Sequence, residues 1–222
     1  MKKRNFILCI LIFLFVFTGT KDAFADTVNG EICDSNGNPL IYGKEYYVWH
    51  IGDTNIKRGG LTFEPHLSYD NLLFSNNSSA VGTAQVITGK PSGEIVHEGD
   101  TVKVKSTNGN WGNEREWASR NYFTGGIYND MILKQSGDNL FIAGNNVDGK
   151  GQIGFGKYEA DVYYGNIAVY STNLIARTGK QNKLWLYMNR SQLLGNKIPT
   201  DPAGLNFVYR TTRKNLEFRP VN

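Results

Sequence analysis

The side chains most able to do chemistry are few in this sequence, and they stand apart from one another. The three histidines, His50, His66 and His97, occur singly. The sequence contains no Gly-x-Ser-x-Gly, no His-Glu-x-x-His and no Walker loop, which are motifs of nucleophilic, zinc-dependent and nucleotide-dependent sites. An isolated histidine is more often a surface or core residue than a ligand. These residues predict a protein that is not an enzyme and that needs no cofactor.

One stretch partly matches a calcium-binding loop. Asp34, Asn36 and Asn38 occupy the first, third and fifth positions of that pattern, and Glu45 occupies the twelfth. The sixth position, which requires glycine, is Pro39. Asp, Asn, Gly and Pro together are also typical of tight turns, in which the Asp and Asn side chains bond the nearby backbone. The sequence therefore predicts a turn here and no metal site.

The N-terminus has the three parts of a cleaved secretory signal peptide. Basic residues at positions 2–4 precede an apolar run at 6–17, and small residues follow at Ala23 and Ala25. The apolar run has 12 residues, whereas a membrane-spanning helix needs about 20. The pattern predicts that residues 1–25 are a signal peptide, that the protein is secreted, and that it does not insert stably into a membrane.

Cleavage would leave residues 26–222, a length that suits one domain. Four of the 24 basic residues and one of the 20 acidic residues belong to the signal segment, so 20 and 19 remain, a net charge of +1. This balance lacks the basic excess of a nucleic-acid-binding protein. Cys33 is the one cysteine left, which excludes an intramolecular disulfide. A small buried thiol is the simpler interpretation, and a reactive or intermolecular thiol is the alternative.

Short apolar or alternating runs, separated by turn-forming residues, dominate the rest of the chain. Examples lie at residues 46–49, 101–105, 140–142 and 184–187. The aromatic content of 13% suits strands, where aromatic side chains are enriched. Many short strands with frequent turns predict an all-β sandwich or barrel.

Two short patterns each occur three times. One is an Asn followed by an apolar strand, at residues 71–74, 139–142 and 215–218, and the other is a Gly turn before a strand, at 46–49, 102–105 and 184–187. Three copies predict pseudo-threefold symmetry, in which each unit buries its apolar face against the other two. The residues expected to face the core are Tyr47, Val104 and Leu186 or their strand neighbours, together with Leu72, Leu140 and Leu216.

Residues 32–48 carry a recognisable order of side chains: an aliphatic residue, Asp, a polar turn, a second aliphatic residue and then Tyr before a third. The matching positions are Ile32, Asp34, Asn36, Gly37, Asn38, Leu40, Tyr46 and Val48. This order resembles the N-terminal signature of the Kunitz-type soybean trypsin inhibitor family, and the likeness extends over residues 28–106. The resemblance implies a single β-trefoil, a six-stranded barrel capped by three hairpins, which agrees with the repeats.

The resemblance also implies a binding site. In the family, an exposed loop between the fourth and fifth strands enters a serine protease. The corresponding loop here is residues 89–96, and its candidate binding residues are Lys90, Pro91, Ser92 and Gly93. A scissile bond between Lys90 and Pro91 is unfavourable because proline has no N–H and a fixed φ. When the loop is aligned on Glu98 and Gly99 without a gap, Ser92 instead falls at the specificity position, and its small side chain suits a protease with a small pocket.

The sequence departs from the family at positions that matter to this loop. Tyr42 stands where the family has an Asn that braces the loop, and the family's disulfides are absent. Because a preorganised loop is what makes such inhibitors bind tightly, these departures and Pro91 predict weak inhibition or none.

A second candidate surface lies in the polar segment 108–121. Trp111 and Trp117 occur there with Arg115 and Arg120. Exposed aromatic residues beside polar groups stack on sugars or anchor protein interfaces. The alternative is that both tryptophans cap the barrel. The sequence thus predicts a secreted, non-enzymatic binding protein whose partner is an extracellular protease or, as the alternative, a cell-surface glycan or receptor bound by a lectin-like or toxin-associated module.

Overall fold

The computed structural model describes residues 30–51, 58–66, 68–120, 128–147, 150–159, 162–171, 183–190, 212 and 214–222 of the 222-residue chain. The predicted signal peptide lies outside these residues. Every regular element in the described ranges is a β-strand. Within that part of the chain there is accordingly no helix that could cross a bilayer.

Twelve strands are found in the described residues. In chain order they are β1 (Glu45–His50), β2 (Leu61–His66), β3 (Tyr69–Phe74), β4 (Gln85–Thr88), β5 (Thr101–Ser106), β6 (Glu116–Arg120), β7 (Tyr128–Lys134), β8 (Leu140–Val147), β9 (Lys150–Glu159), β10 (Val162–Ser171), β11 (Leu184–Arg190) and β12 (Leu216–Pro220).

Six of these strands close into a ring. β1 pairs with β4, β4 with β5, β5 with β8, β8 with β9, β9 with β12, and β12 returns to β1, all antiparallel. The registers alternate inward and outward residues: Val48 pairs with Phe218, and Ile87 with Val104, and all four are fully buried. Ring closure leaves none of the six strands with a free edge.

The other six strands form three hairpins, β2–β3, β6–β7 and β10–β11. The second strands of these hairpins, β3, β7 and β11, pair with one another and cover one end of the barrel. A six-stranded barrel capped by three hairpins is a β-trefoil, so the predicted fold class is confirmed. Each of the three repeats contributes four consecutive strands.

The predicted inward positions lie in one hydrophobic core. Leu72, Leu140 and Leu216 are fully buried, as are Val104 and Leu186. Tyr47 itself is half-buried, and its strand neighbours Tyr46 and Val48 occupy the core in its place.

Two of the six segments that the sequence patterns relate by threefold symmetry do not occupy equivalent strands in the structure. Residues 71–74 belong to the cap strand β3, whereas Leu140 and Leu216 begin the barrel strands β8 and β12. Residues 184–187 likewise belong to the cap strand β11, whereas the segments compared with them lie in the barrel strands β1 and β5. Barrel and cap strands bury their apolar faces against the same core, so a short apolar pattern does not distinguish them.

The segment before β1 forms the predicted turn. Asp34 is buried, and its Oδ1 accepts the N–H groups of Asn36 at 2.8 Å and Asn38 at 3.1 Å. Gly37 has a φ of 81°, which glycine adopts without a steric penalty. The side chain of Asp34 therefore orders the turn that leads Leu40 into the core. Cys33, beside it, is a free and half-buried thiol.

Candidate functional site: the turn between β4 and β5

Residues 89–100 connect β4 to β5, and residues 89–94 are exposed. The loop proposed from the resemblance, residues 89–96, therefore lies between the fourth and fifth strands of this structure. Ile95 is half-buried and Val96 is fully buried, which ties the second half of the connection to the core. Lys90, Pro91, Ser92 and Gly93 together form its exposed tip.

The tip is a closed turn rather than an extended strand. The N–H of Glu94 donates to the carbonyl of Pro91 at 3.3 Å, and Gly93 has a φ of 99°. A positive φ at the third of four residues is the geometry of a type II turn, which favours glycine at that place. The extended loop expected of a protease inhibitor is therefore not what these four residues form.

A short ladder holds the turn against the segment before β1. Tyr42 donates its N–H to the carbonyl of Glu94 and accepts the N–H of Gly93, both at 2.9 Å. Val96 continues the ladder by donating to the carbonyl of Leu40 at 2.9 Å. Three backbone hydrogen bonds thus fix the returning half of the turn.

Gly43 makes this close approach possible. Its φ is 80°, and a Cβ placed on it would lie 2.2 Å from Oγ and 3.2 Å from Cα of Ser92. A Cβ atom is essentially never found within 3.0 Å of such a neighbouring atom. A side chain at this position would push Ser92 away, so Gly43 permits the turn to dock where it does.

Polar side chains fix the other half of the turn. Asp100 accepts the hydroxyl of Tyr42 on Oδ2 at 2.9 Å, and Nζ of Lys90 on Oδ1 at 2.5 Å. The N–H of His97 also donates to Oδ2 at 2.9 Å. Lys90 Nζ lies 5.8 Å from the ring centroid of Tyr42, within the range of a cation–π contact. One carboxylate therefore ties together the ring below the turn and the lysine at its start.

The electrostatics follow from these contacts. Burial raises the pKa of Tyr42, and its hydrogen bond to the Asp100 carboxylate raises it further, so the phenol stays protonated and donates. Burial alone would raise the pKa of Asp100, but the donors on Lys90, His97 and Tyr42 together hold the pKa below its ordinary value. The carboxylate therefore remains charged at neutral pH and accepts all three bonds.

The resemblance to the Kunitz-type family predicts that the loop loses its brace at position 42, because Tyr42 replaces the family's bracing Asn. The structure shows a different brace at that position, since the Tyr42 backbone holds Gly93 and Glu94 while its hydroxyl holds Asp100. The role of Asp100 was missed altogether. Its spacing of 58 residues from Tyr42 carries no local signal in the sequence.

The two tryptophans of the alternative surface are separated by the fold. Trp117 is fully buried in β6, where its Nε1 donates to Oε1 of Gln85 at 2.8 Å and its ring meets Phe155 edge-on at 5.8 Å. Trp111 is 43% exposed in the turn that its carbonyl closes with the N–H of Glu114. Trp117 therefore packs in the core and offers no exposed face, and Trp111 alone of the pair lies on the surface.

The remaining candidates for chemistry stay apart. His50 packs on Phe74 with ring centroids 5.8 Å apart, and burial lowers the pKa of His50. The described residues contain no group of three or more His, Cys, Asp or Glu side chains placed to hold a metal ion.

The barrel and its three-hairpin cap give the chain the β-trefoil fold that is also found in Kunitz soybean trypsin inhibitor-type proteins. Soybean trypsin inhibitor itself matches with a TM-score of 0.57 at 15% identity, over 87% of this chain and 100% of the inhibitor. The bifunctional alpha-amylase/subtilisin inhibitor of rice, Oryza sativa, matches with a TM-score of 0.52 at 14% identity, over 86% of this chain and 98% of that one.

A third similar structure belongs to a protein that is not named as an inhibitor. The water-soluble chlorophyll protein of Brassica oleracea var. Botrytis, solved with chlorophyll b, matches with a TM-score of 0.56 at 13% identity, over 86% of this chain and 99% of that one. The sequence itself matches no protein-family model and no curated protein. At these identities, the likeness establishes the fold.

Proposed function

We propose that this protein is a secreted, non-enzymatic binding protein that blocks a serine protease with the turn at Lys90, Pro91, Ser92 and Gly93. Export rests on the signal-peptide pattern of residues 1–25. The trefoil of the mature chain, residues 26–222, then serves as the scaffold that presents the turn outside the cell.

The observation that carries the proposal is that the turn is exposed yet fully tethered. Backbone bonds from Tyr42 hold Gly93 and Glu94, and the Asp100 carboxylate holds Lys90. Ordering a flexible loop on binding costs free energy, and a turn that is already ordered avoids that cost. This is the property by which tight protein inhibitors gain affinity.

The mode of binding follows from the shape of the turn. The ion pair with Asp100 occupies Lys90, and the carbonyl of Pro91 is bonded within the turn, so no extended scissile peptide is offered. Ser92 is exposed at the tip and has a small side chain, whose Oγ lies beside Gly43. A protease with a shallow primary pocket is therefore the expected target, and the turn covers the active-site cleft without being cleaved.

Structural neighbours support the target class. Soybean trypsin inhibitor has been solved in a complex with porcine pancreatic trypsin, and the rice neighbour is a bifunctional alpha-amylase/subtilisin inhibitor. The chlorophyll protein has the same fold, so the fold by itself does not decide the ligand. The tethered turn is the feature that favours a protease.

The test is a titration of purified mature protein against trypsin, chymotrypsin, elastase and subtilisin, with residual activity measured at each ratio. We expect inhibition of elastase or subtilisin, no cleavage product on prolonged incubation, and at least a tenfold weaker inhibition for Ser92→Glu. The matched control is Ser78→Glu, which adds the same charge to an exposed serine outside the turn. Absence of inhibition across the panel, or equal inhibition by both variants, would overturn the proposal.

A further inference from the structure

A recess lies on the outside of the barrel, bordered by β1, β4, β5 and the connection from β5 to β6. Its volume is about 650 Å³, within the range of small-ligand sites. Glu45, Val86 and Lys105 stand in one row across its floor, because Val86 pairs with Glu45 on one side and with Lys105 on the other. The recess shares no lining residue with the protease-binding turn.

The recess holds two cations that form no close ion pair within the described part of the chain, although the charge of Lys105 helps to lower the pKa of the neighbouring Glu116 carboxylate. Neither Lys105 nor Arg115 forms an ion pair with a carboxylate among the described residues. The neighbouring Lys103 does, since its Nζ lies 3.0 Å from Oε2 of Glu116. The guanidinium group of Arg115 donates one hydrogen bond, from Nη1 to the carbonyl of Glu114 at 3.0 Å. The rest of its planar donor fork can bind a carboxylate of a ligand.

The rest of the lining suits a hydroxyl-rich ligand. Glu45 is an exposed carboxylate, Asn113 is an exposed amide, and Thr88 brings a half-buried hydroxyl. Val86 is the one aliphatic side chain that lines the recess. A peptide gains affinity from apolar anchor side chains, for which this recess has little room, whereas sugar hydroxyls donate to carboxylates and accept from amides and hydroxyls.

An exposed aromatic residue adjoins the same recess. Trp111 immediately precedes Gly112 and Asn113, and both of these line the recess. The connection that carries Trp111 is itself anchored, since buried Asp70 accepts the side-chain amide of Asn110 at 2.8 Å. Trp111 does not itself line the recess, but its exposed ring is close enough in the chain to stack on a sugar that extends from it.

We propose that this recess binds a carboxylate-bearing saccharide, with Arg115 and Lys105 on the acidic group and Trp111 against the ring. The two cations select for the acid, and Glu45 and Asn113 bind the hydroxyls. The site is independent of protease inhibition, so the protein has two binding faces on one trefoil.

The experiment is a calorimetric titration of the mature protein with sialyllactose and with trigalacturonate. Lactose serves as the matched ligand control, because it lacks the acidic sugar. We expect binding of an acidic saccharide that falls with added salt, with at least a tenfold weaker affinity for lactose. Arg115→Gln and Trp111→Ala should each weaken binding at least tenfold, and Arg219→Gln should not, because its charge is paired with Glu217 elsewhere.

Two further measurements keep the test decisive. NMR of the wild-type protein should show the indole N–H signal of Trp111 shifting on titration while that of Trp117 stays in place, which needs no variant to fold. The proposal is overturned if neither acidic saccharide binds at millimolar concentration, if lactose binds equally well, or if a hexaglutamate peptide binds more tightly. Protease inhibition should be unchanged by saturating saccharide, and Ser92→Glu should leave saccharide binding intact.

Discussion

The hydroxyl of Tyr42 donates a 2.9 Å hydrogen bond to Oδ2 of Asp100, and this contact joins the segment before β1 to the residue before β5. The Tyr42 ring is fully buried, and the carboxylate it reaches also holds Lys90 at the start of the exposed turn. A core side chain therefore supports the surface element proposed to bind a protease. Three of the predictions below test this relationship, and the fourth tests the separation of the two tryptophans.

Tyr42→Phe should destabilise the protein and loosen the turn. The variant keeps the ring but removes a donor from a partly buried carboxylate, a loss of about 1–2 kcal/mol. Urea unfolding measures the change. Tyr47→Phe is the control, since the half-buried Tyr47 lies on neighbouring β1 and its change should stay within about 0.5 kcal/mol. Equal effects from the two variants would show that the Tyr42 hydroxyl does not brace the turn.

Gly43→Ala should displace the turn. The backbone at Gly43 has a φ of 80°, and the new Cβ would collide with Ser92. We expect a loss of at least about 1 kcal/mol from the backbone conformation alone, together with a drop in any protease inhibition. Gly30→Ala is the matched control, because a Cβ there meets nothing within 4 Å. Unchanged stability in Gly43→Ala would contradict the close approach described above.

Acid should release the turn through Asp100. Because the folded protein holds the pKa of Asp100 below its ordinary value, the carboxylate contributes stability that is present above the unfolded pKa of about 3.9. That stability is lost as the pH falls from this value through the folded pKa. The pH dependence of the unfolding free energy, compared between wild type and Asp100→Asn, isolates this term. Parallel curves for the two proteins below pH 4 would refute it.

Trp117 and Trp111 should respond in opposite ways to truncation. Trp117→Ala removes a fully buried ring and leaves the amide of Gln85 without its indole donor, so we expect a loss of about 3–5 kcal/mol. Trp111→Ala should change stability by less than about 0.5 kcal/mol, because Trp111 is 43% exposed and lies outside the core cluster. Thermal unfolding distinguishes the two. A large loss from Trp111→Ala would show that it packs in the fold instead of serving as a binding surface.

Local chemistry explains why so much of the fold was predictable. Asp34, Gly37 and Pro39 specify the turn before β1 through bonds within five residues, and such bonds do not depend on the rest of the molecule. Alternating apolar residues specified strands whose inward faces meet in one core, including Leu72 and Leu140. The frequent turn residues favoured short strands over helices. The three repeats predicted pseudo-threefold symmetry, and the resemblance of residues 32–48 to the Kunitz-type family implied the trefoil itself.

The assignment of the repeats was less accurate, and the reason is geometric. Residues 71–74 and 184–187 lie in the cap, although their patterns matched barrel strands. Barrel strands and cap strands both direct alternate side chains into the same core, so both have the same alternation of apolar and polar residues. A strand belongs to the cap or to the barrel according to the strands with which it pairs. Those partner strands lie tens of residues away in the sequence.

The sequence by itself determined the turn chemistry, the strand character and the class of fold, because these depend on neighbours along the chain. The tertiary structure alone decided which tryptophan is a core residue and which is a surface residue, since both occur in the same polar segment. It also decided that Tyr42 braces the β4–β5 turn, because its partner Asp100 is 58 residues away and reaches it only when the barrel closes. Side-chain pairs of this kind are set by the packing of strands, which no local pattern records.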